Sequence, residues 1–170
     1  MAAVAKEEVR RFITECLKAV GAPAQAALDQ ADLLLQADRT GHFSHGLNRL
    51  EFYVNDIISG ACEPKNVPVV LKESAATAWV DGKNALGATV GHFCMSLAMK
   101  KAKEAGVGWV TVKASNHFGM AGWWAQKAMR EGLIGMAFTN SSPLLAPTRS
   151  KKVCRWKNLI TGNTGTSVNP

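Results

Sequence analysis

Several features that would settle a protein's class at once are missing from this sequence. No apolar run approaches the roughly 18 residues that a membrane-crossing helix needs, so no segment is expected to enter a bilayer. The chain starts with Glu7 and Glu8 in an amphipathic pattern, where a secretory signal requires a basic start and an unbroken apolar stretch. Cys16, Cys62, Cys94 and Cys154 are dispersed, with no Cys-x-x-Cys pair and no histidine at zinc spacing. That distribution argues against a disulfide framework and a metal site, and fits a reducing, cytoplasmic setting. Acidic residues are absent from 149–157, where Arg149, Lys151, Lys152, Arg155 and Lys157 cluster. The formal net charge of +7 comes largely from that cluster, since the other 161 residues carry 15 positives against 13 acids. No nucleic-acid-binding face is therefore expected, and a solvated basic run is the better reading. Gly-x-Gly-x-x-Gly after a strand and Gly-x-x-x-x-Gly-Lys-Ser/Thr are both absent, which removes the ordinary Rossmann and P-loop phosphate cradles.

What is present suffices for a globular core: 170 residues, 47% of them hydrophobic. Val9, Phe12, Ile13, Cys16, Leu17 and Val20 recur at helical spacing and predict a first helix that Gly21 and Pro23 stop. A second helix is expected from about Pro23 to Gly41, and a third from near Ser44 through Leu50, Val54 and Ile57 to Gly60. Residues 67–71 and 76–80 have the character of short strands, 86–97 of a helix with small residues for close packing, and 107–112 of a strand. Another helix over Met120 to Ala128 and an apolar strand over 133–138 follow. The alternation of strand and helix over 76–138 predicts an α/β fold, an N-terminal helical segment followed by a sheet with flanking helices and right-handed crossovers. From Arg149 onward the periodicity is lost, with no element to close the sheet.

Two places carry polar chemistry. The apolar run at 107–112 reads as a strand covered on both faces that empties into Ser115-Asn-His117, and ligand sites in such sheets gather beyond strand ends. The strand at 133–138 ends comparably in Thr139-Asn140-Ser141, so two adjacent strand ends would form a pocket wall. At the start of the third helix, Ser44, His45 and Arg49 gather. If the helix begins near Ser44, His45 and Arg49 lie one turn apart, and an imidazole and a guanidinium fork can converge on one small carboxylate. The plainer alternative makes Ser44 an N-cap and leaves His45 and Arg49 on the surface. His117 equally suits a turn-closing role, His92 a solvated helix face, and His42 with His45 lacks a third metal ligand nearby.

Ser44-His-Gly-Leu-Asn-Arg49, Asp81-Gly82 with Ala85-Leu-Gly87, Lys101-Ala-Lys-Glu-Ala-Gly-Val-Gly108, Ser115-Asn-His-Phe-Gly119 and Gly135-Met-Ala-Phe-Thr-Asn-Ser141 resemble, in order, the motifs of the malate/L-lactate dehydrogenase family. These NAD(P)-dependent enzymes are unrelated to the Rossmann-type lactate and malate dehydrogenases. The resemblance covers roughly residues 5–148 and implies a non-Rossmann α/β fold with a mixed sheet, incomplete at the C-terminus. It implies a dimeric, cytoplasmic oxidoreductase that uses NAD or NADP on a small 2-hydroxy or 2-oxo acid. Carried over by position, it makes His45 the acid/base with Ser44 beside it, puts Arg49 near the substrate carboxylate and His117 in the same pocket, and sets Thr139, Asn140 and Ser141 by the cofactor. Residues 1–148 are then the N-terminal part of the family domain. Residues 149–170 depart from the pattern and are expected to form a divergent, disordered basic tail. The alternative function is an inactive fragment that at most pairs with a partner chain.

Overall fold

In a computed structural model, residues 4–140 and the backbone of 158–162 are described. The chain divides into two compact units, Met1–Met120 and Ala121–Pro170. The first begins with a helical layer: α1 (Lys6–Ala19), α2 (Ala24–Arg39) and α3 (Leu50–Ile58). Of the apolar stripe on α1, Ile13 and Leu17 are fully buried, whereas Phe12 is 51% exposed and faces outward. Gly21 ends the helix at φ +97, its N–H closing on Lys18 O at 2.9 Å and that of Ala22 on Leu17 O at 3.0 Å. Pro23 sits just before α2 rather than within it, and its carbonyl accepts the N–H of Ala27 at 2.9 Å.

α2 is the central element. Ala27, Ala31 and Leu34 join Ile13, Leu17 and Ile57 in the core between the helices, each large aliphatic side chain contributing about 1.5–3 kcal/mol by leaving water. Arg10 grips Asp32 with both ends of its fork, at 2.7 and 2.8 Å, tying α1 to α2. Gln30 is fully buried on the same helix.

A three-stranded mixed sheet follows, in the order β1-β2-β3: β1 (Val69–Glu73) antiparallel to β2 (Thr77–Asp81), and β2 parallel to β3 (Trp109–Lys113). The parallel pair is joined through α4 (Gly87–Ala105), whose close approach is made possible by glycine: a Cβ on Gly108 would lie 1.8 Å from Ala98 O. Lys101 on α4 is buried and donates to Ser74 O at 2.6 Å while pairing with Glu73 at 2.9 Å, which pins the β1-β2 turn to the helix. Ala78 and Val80 point into this packing and are buried.

Two sequence expectations need correction. β3 is not covered on both faces: Trp109 is 50% exposed and Val112 39%, and Trp79 on β2 is 47% exposed. A run rich in tryptophan and valine cannot reveal whether anything covers its second face, and among the described residues of this unit helices pack on one side only. Nor does the strand after α5 extend this sheet. In the second unit, α5 (Ala121–Arg130) packs on β4 (Met136–Asn140), and β4 pairs antiparallel with β5 (Asn158–Gly162). The strand ends after β3 and β4 thus belong to separate sheets. Of the segment 149–170, only 158–162 lie among the described residues, and there the backbone is a strand, an element the loss of periodicity did not suggest.

Candidate active site

The segment between α2 and α3 does not form the helix start expected from Ser44. It makes two single 3₁₀ turns, Phe43–His45 and Leu47–Arg49, and the α-helix begins only at Leu50. The interruption is at Gly46, whose ψ of −147° breaks the helical run. Asp38, near the end of α2, accepts the Leu47 N–H at 2.8 Å, and its carboxylate occupies the place where a Cβ on residue 46 would start. His45 and Arg49 therefore do not meet as neighbours on one α-helical face. They meet because Arg49 folds back, its Nε donating to Ser44 O at 2.6 Å. Its guanidinium carbon lies 5.2 Å over the ring of Phe52, and its Nη amines have no acceptor among the described residues. Ser44 is not an N-cap; its hydroxyl is hydrogen-bonded to His45 Nδ1 at 2.9 Å.

His117 arrives from the far side of the unit. Beyond β3 the chain turns at Ala114, φ +51, and Asn116 donates its amide to Asn84 O and Ala85 O at 3.0 and 2.9 Å. The loop seats so closely on 82–87 that a Cβ on Gly87 would lie 2.0 Å from His117 O, and one on Gly82 2.7 Å from Ala114 O. This seating stacks the His117 ring on that of His45, centroids 5.5 Å apart and planes 25° off parallel. The Tyr53 hydroxyl, on α3, is hydrogen-bonded to His117 Nδ1 at 2.6 Å.

The electrostatics match the crowding. Burial above all, then the charge of Arg49 and of His42, lowers the His45 pKa below the ordinary 6.5. Burial likewise lowers that of His117, helped by His45 and Arg49 and opposed by Asp56. Both shifts favour the neutral imidazole, more securely for half-buried His45 than for His117, which is exposed to solvent. Burial pushes the Tyr53 phenol well up, so it keeps its proton. Such a cluster can exchange one proton with a bound hydroxyl or carbonyl next to a cation able to grip a carboxylate.

Tyr53 was missed by the sequence reasoning. The signal for Tyr53 was available: it is the only tyrosine of the chain and stands one helical turn after Arg49. His92 is not on a solvated face; it is half-buried on α4, with Nε2 4.0 Å from Asp29 Oδ1. In the second unit Thr139 and Asn140 close β4 and are exposed, the Thr139 hydroxyl donating to Asn140 O at 3.2 Å, while Ser141 lies outside the described residues. Among the described residues no three His, Cys, Asp or Glu side chains group as metal ligands, and no helix is long and apolar enough to cross a membrane. An apolar groove of about 560 Å³ lined by Phe12, Cys16, Leu50 and Val54 contains neither imidazole, so converging polar side chains rather than concavity mark the site.

A family profile described as Malate/L-lactate dehydrogenase matches residues 4–158. The malate dehydrogenase of Pyrococcus horikoshii is 44% identical over 145 residues, covering 85% of this chain and 40% of its own. The L-sulfolactate dehydrogenase of Methanocaldococcus jannaschii is 40% identical over 146 residues, with 86% and 42% covered. The solved structure of the Pyrococcus protein superimposes with a TM-score of 0.83 at 43% identity, over 88% of this chain and 43% of that one. The chain spans less than half the length of these relatives.

Proposed function

The chain belongs to the malate/L-lactate dehydrogenase family, and from that premise we propose that Ser44, His45, Arg49 and His117 form the proton-transfer and carboxylate-binding part of a site that interconverts small 2-hydroxy and 2-oxo acids with NAD or NADP. One observation carries the proposal. Two neutral imidazoles and a guanidinium, from segments some 70 positions apart, converge in a single cluster.

His45 is the group that moves the proton. With its pKa below 6.5 it is an uncharged base at neutral pH, able to take the proton of a 2-hydroxyl during oxidation and return it during reduction. A placed general base is typically worth about 10²- to 10⁴-fold in rate. Ser44, bonded to Nδ1, fixes the orientation of the ring. Arg49 offers its free Nη amines to the substrate carboxylate, and the bond from Nε to Ser44 O sets the direction of that fork.

For the cofactor, the family resemblance points to Thr139, Asn140 and Ser141. The exposed hydroxyl of Thr139 and carboxamide of Asn140 supply both a donor and an acceptor, a set that fits a nicotinamide carboxamide or a ribose hydroxyl. When bound, the nicotinamide accepts or gives the hydride. The absence of a glycine-rich phosphate loop agrees with a cofactor held outside the Rossmann manner.

The alternative reading is a non-catalytic protein that acts at most by pairing with a partner chain. Titrating the purified chain against NADH and NADPH, with nicotinamide fluorescence as readout, separates the two. Saturable enhancement with either cofactor supports the oxidoreductase, and a flat titration with both supports the non-catalytic reading.

A further inference from the structure

Around His117 the donors and acceptors are unevenly placed. The main-chain N–H of Gly119 points at Nδ1 from 3.4 Å, and a main-chain amide can only donate. The Tyr53 hydroxyl lies on the same nitrogen at 2.6 Å. If Nδ1 carried a proton, it would face the Gly119 N–H donor to donor. With Nδ1 bare, its one lone pair accepts the short bond from the Tyr53 hydroxyl and faces the Gly119 N–H as a longer, secondary donor, with no clash. Gly119 sits at φ +70, and a Cβ there would lie 2.6 Å from Leu33 Cδ2, so the position takes glycine and no larger residue. Tyr53 is 3% exposed within the helical core.

We propose that Tyr53 is a positioning residue that fixes the tautomer of His117, donating its hydroxyl hydrogen to Nδ1 so that the ring's only N–H is on Nε2. The inference rests on the reading of the cluster as a 2-hydroxyacid dehydrogenase site and divides labour within it. His117 becomes a fixed hydrogen-bond donor for the substrate's 2-oxygen, and His45, whose Nδ1 partner is the Ser44 hydroxyl, a group able to donate or accept, is left as the imidazole that exchanges a proton. Asp56 on α3, Arg49 and His45 are the other charged or titratable groups that act on His117.

The test is histidine-selective ¹⁵N NMR of the full 170-residue chain near neutral pH, comparing the wild type with Tyr53→Phe. In the wild type His117 Nδ1 should resonate as an unprotonated, hydrogen-bonded nitrogen, with Nε2 showing a directly bonded proton. In Tyr53→Phe the Nδ1 signal should shift toward that of an unbonded acceptor. A wild-type Nδ1 that carries the proton overturns the proposal and needs no variant to do so, whether or not Tyr53→Phe folds. An Nδ1 signal unmoved by Tyr53→Phe overturns it as well. Neither readout depends on turnover, so a failed dehydrogenase reading shows itself separately, as activity indifferent to His45.

Discussion

Asp38 and Gly46 occupy one another's space: a Cβ on residue 46 would lie 1.7 Å from the Asp38 carboxylate oxygen, which instead holds the Leu47 N–H through its second oxygen at 2.8 Å. The loop carrying His45 and Arg49 thus has its shape set from α2, by a residue that need not touch substrate.

Gly46→Ala should therefore push the carboxylate off Leu47 and reshape the loop, costing about 0.5–3 kcal/mol of stability, the usual span for a destabilising substitution. Asp38→Ala removes the same hydrogen bond without a clash and should cost about 1 kcal/mol. Urea unfolding of the two variants measures both. A Gly46→Ala protein as stable as the wild type would show that the loop is not held this way.

Arg49→Lys keeps a positive charge and loses the fork, along with the Nε bond that aims it. In a hybrid that continues residues 1–148 with the C-terminal portion of the Pyrococcus horikoshii malate dehydrogenase, KM for a 2-oxo acid should rise roughly tenfold, with less change in kcat. An unchanged KM would assign the carboxylate to another residue.

The depressed imidazoles make stability depend on pH with a definite sign. His45 and His117 have folded-state pKa values below the unfolded 6.5, so just under pH 6.5 the unfolded chain binds more protons than the folded one. Stability should fall as pH drops through that window and be indifferent to these groups above it. Urea midpoints of the wild type and of His45→Asn, compared at neutral pH and about one unit below 6.5, give the answer. The variant should lose less stability on acidification, and an equal loss in both proteins contradicts the assignment to His45.

Much of this was legible in the sequence, and the misses have physical causes. Gly21 and Pro23 mark the end of α1 because they act locally, through φ and through a missing N–H. The glycines at 82 and 87 could be read as parts of motifs, but their purpose, admitting the His117 loop against the 82–87 segment, depends on contacts between positions some 30 residues apart. The third helix was expected too early because apolar spacing from Leu47 onward does not distinguish 3₁₀ turns from α-helix, and the partner that interrupts it, Asp38, is on another element. Tyr53 fits the apolar face of α3, and only the fold shows its hydroxyl against His117. Periodicity could not show that β4 pairs with β5, because register between distant strands is a property of pairing and not of either strand alone.

The most direct test of the account is the turnover of the same hybrid with NADH and oxaloacetate when each of two histidines is replaced. His45 stacks on His117 in the cluster, whereas His92 faces Asp29 from α4. His45→Ala should lower kcat by about 10²-fold or more, the typical worth of a placed acid/base, and His92→Ala should leave it within a few-fold of the parent. Equal rates for the two variants would contradict the central claim that His45 carries the proton.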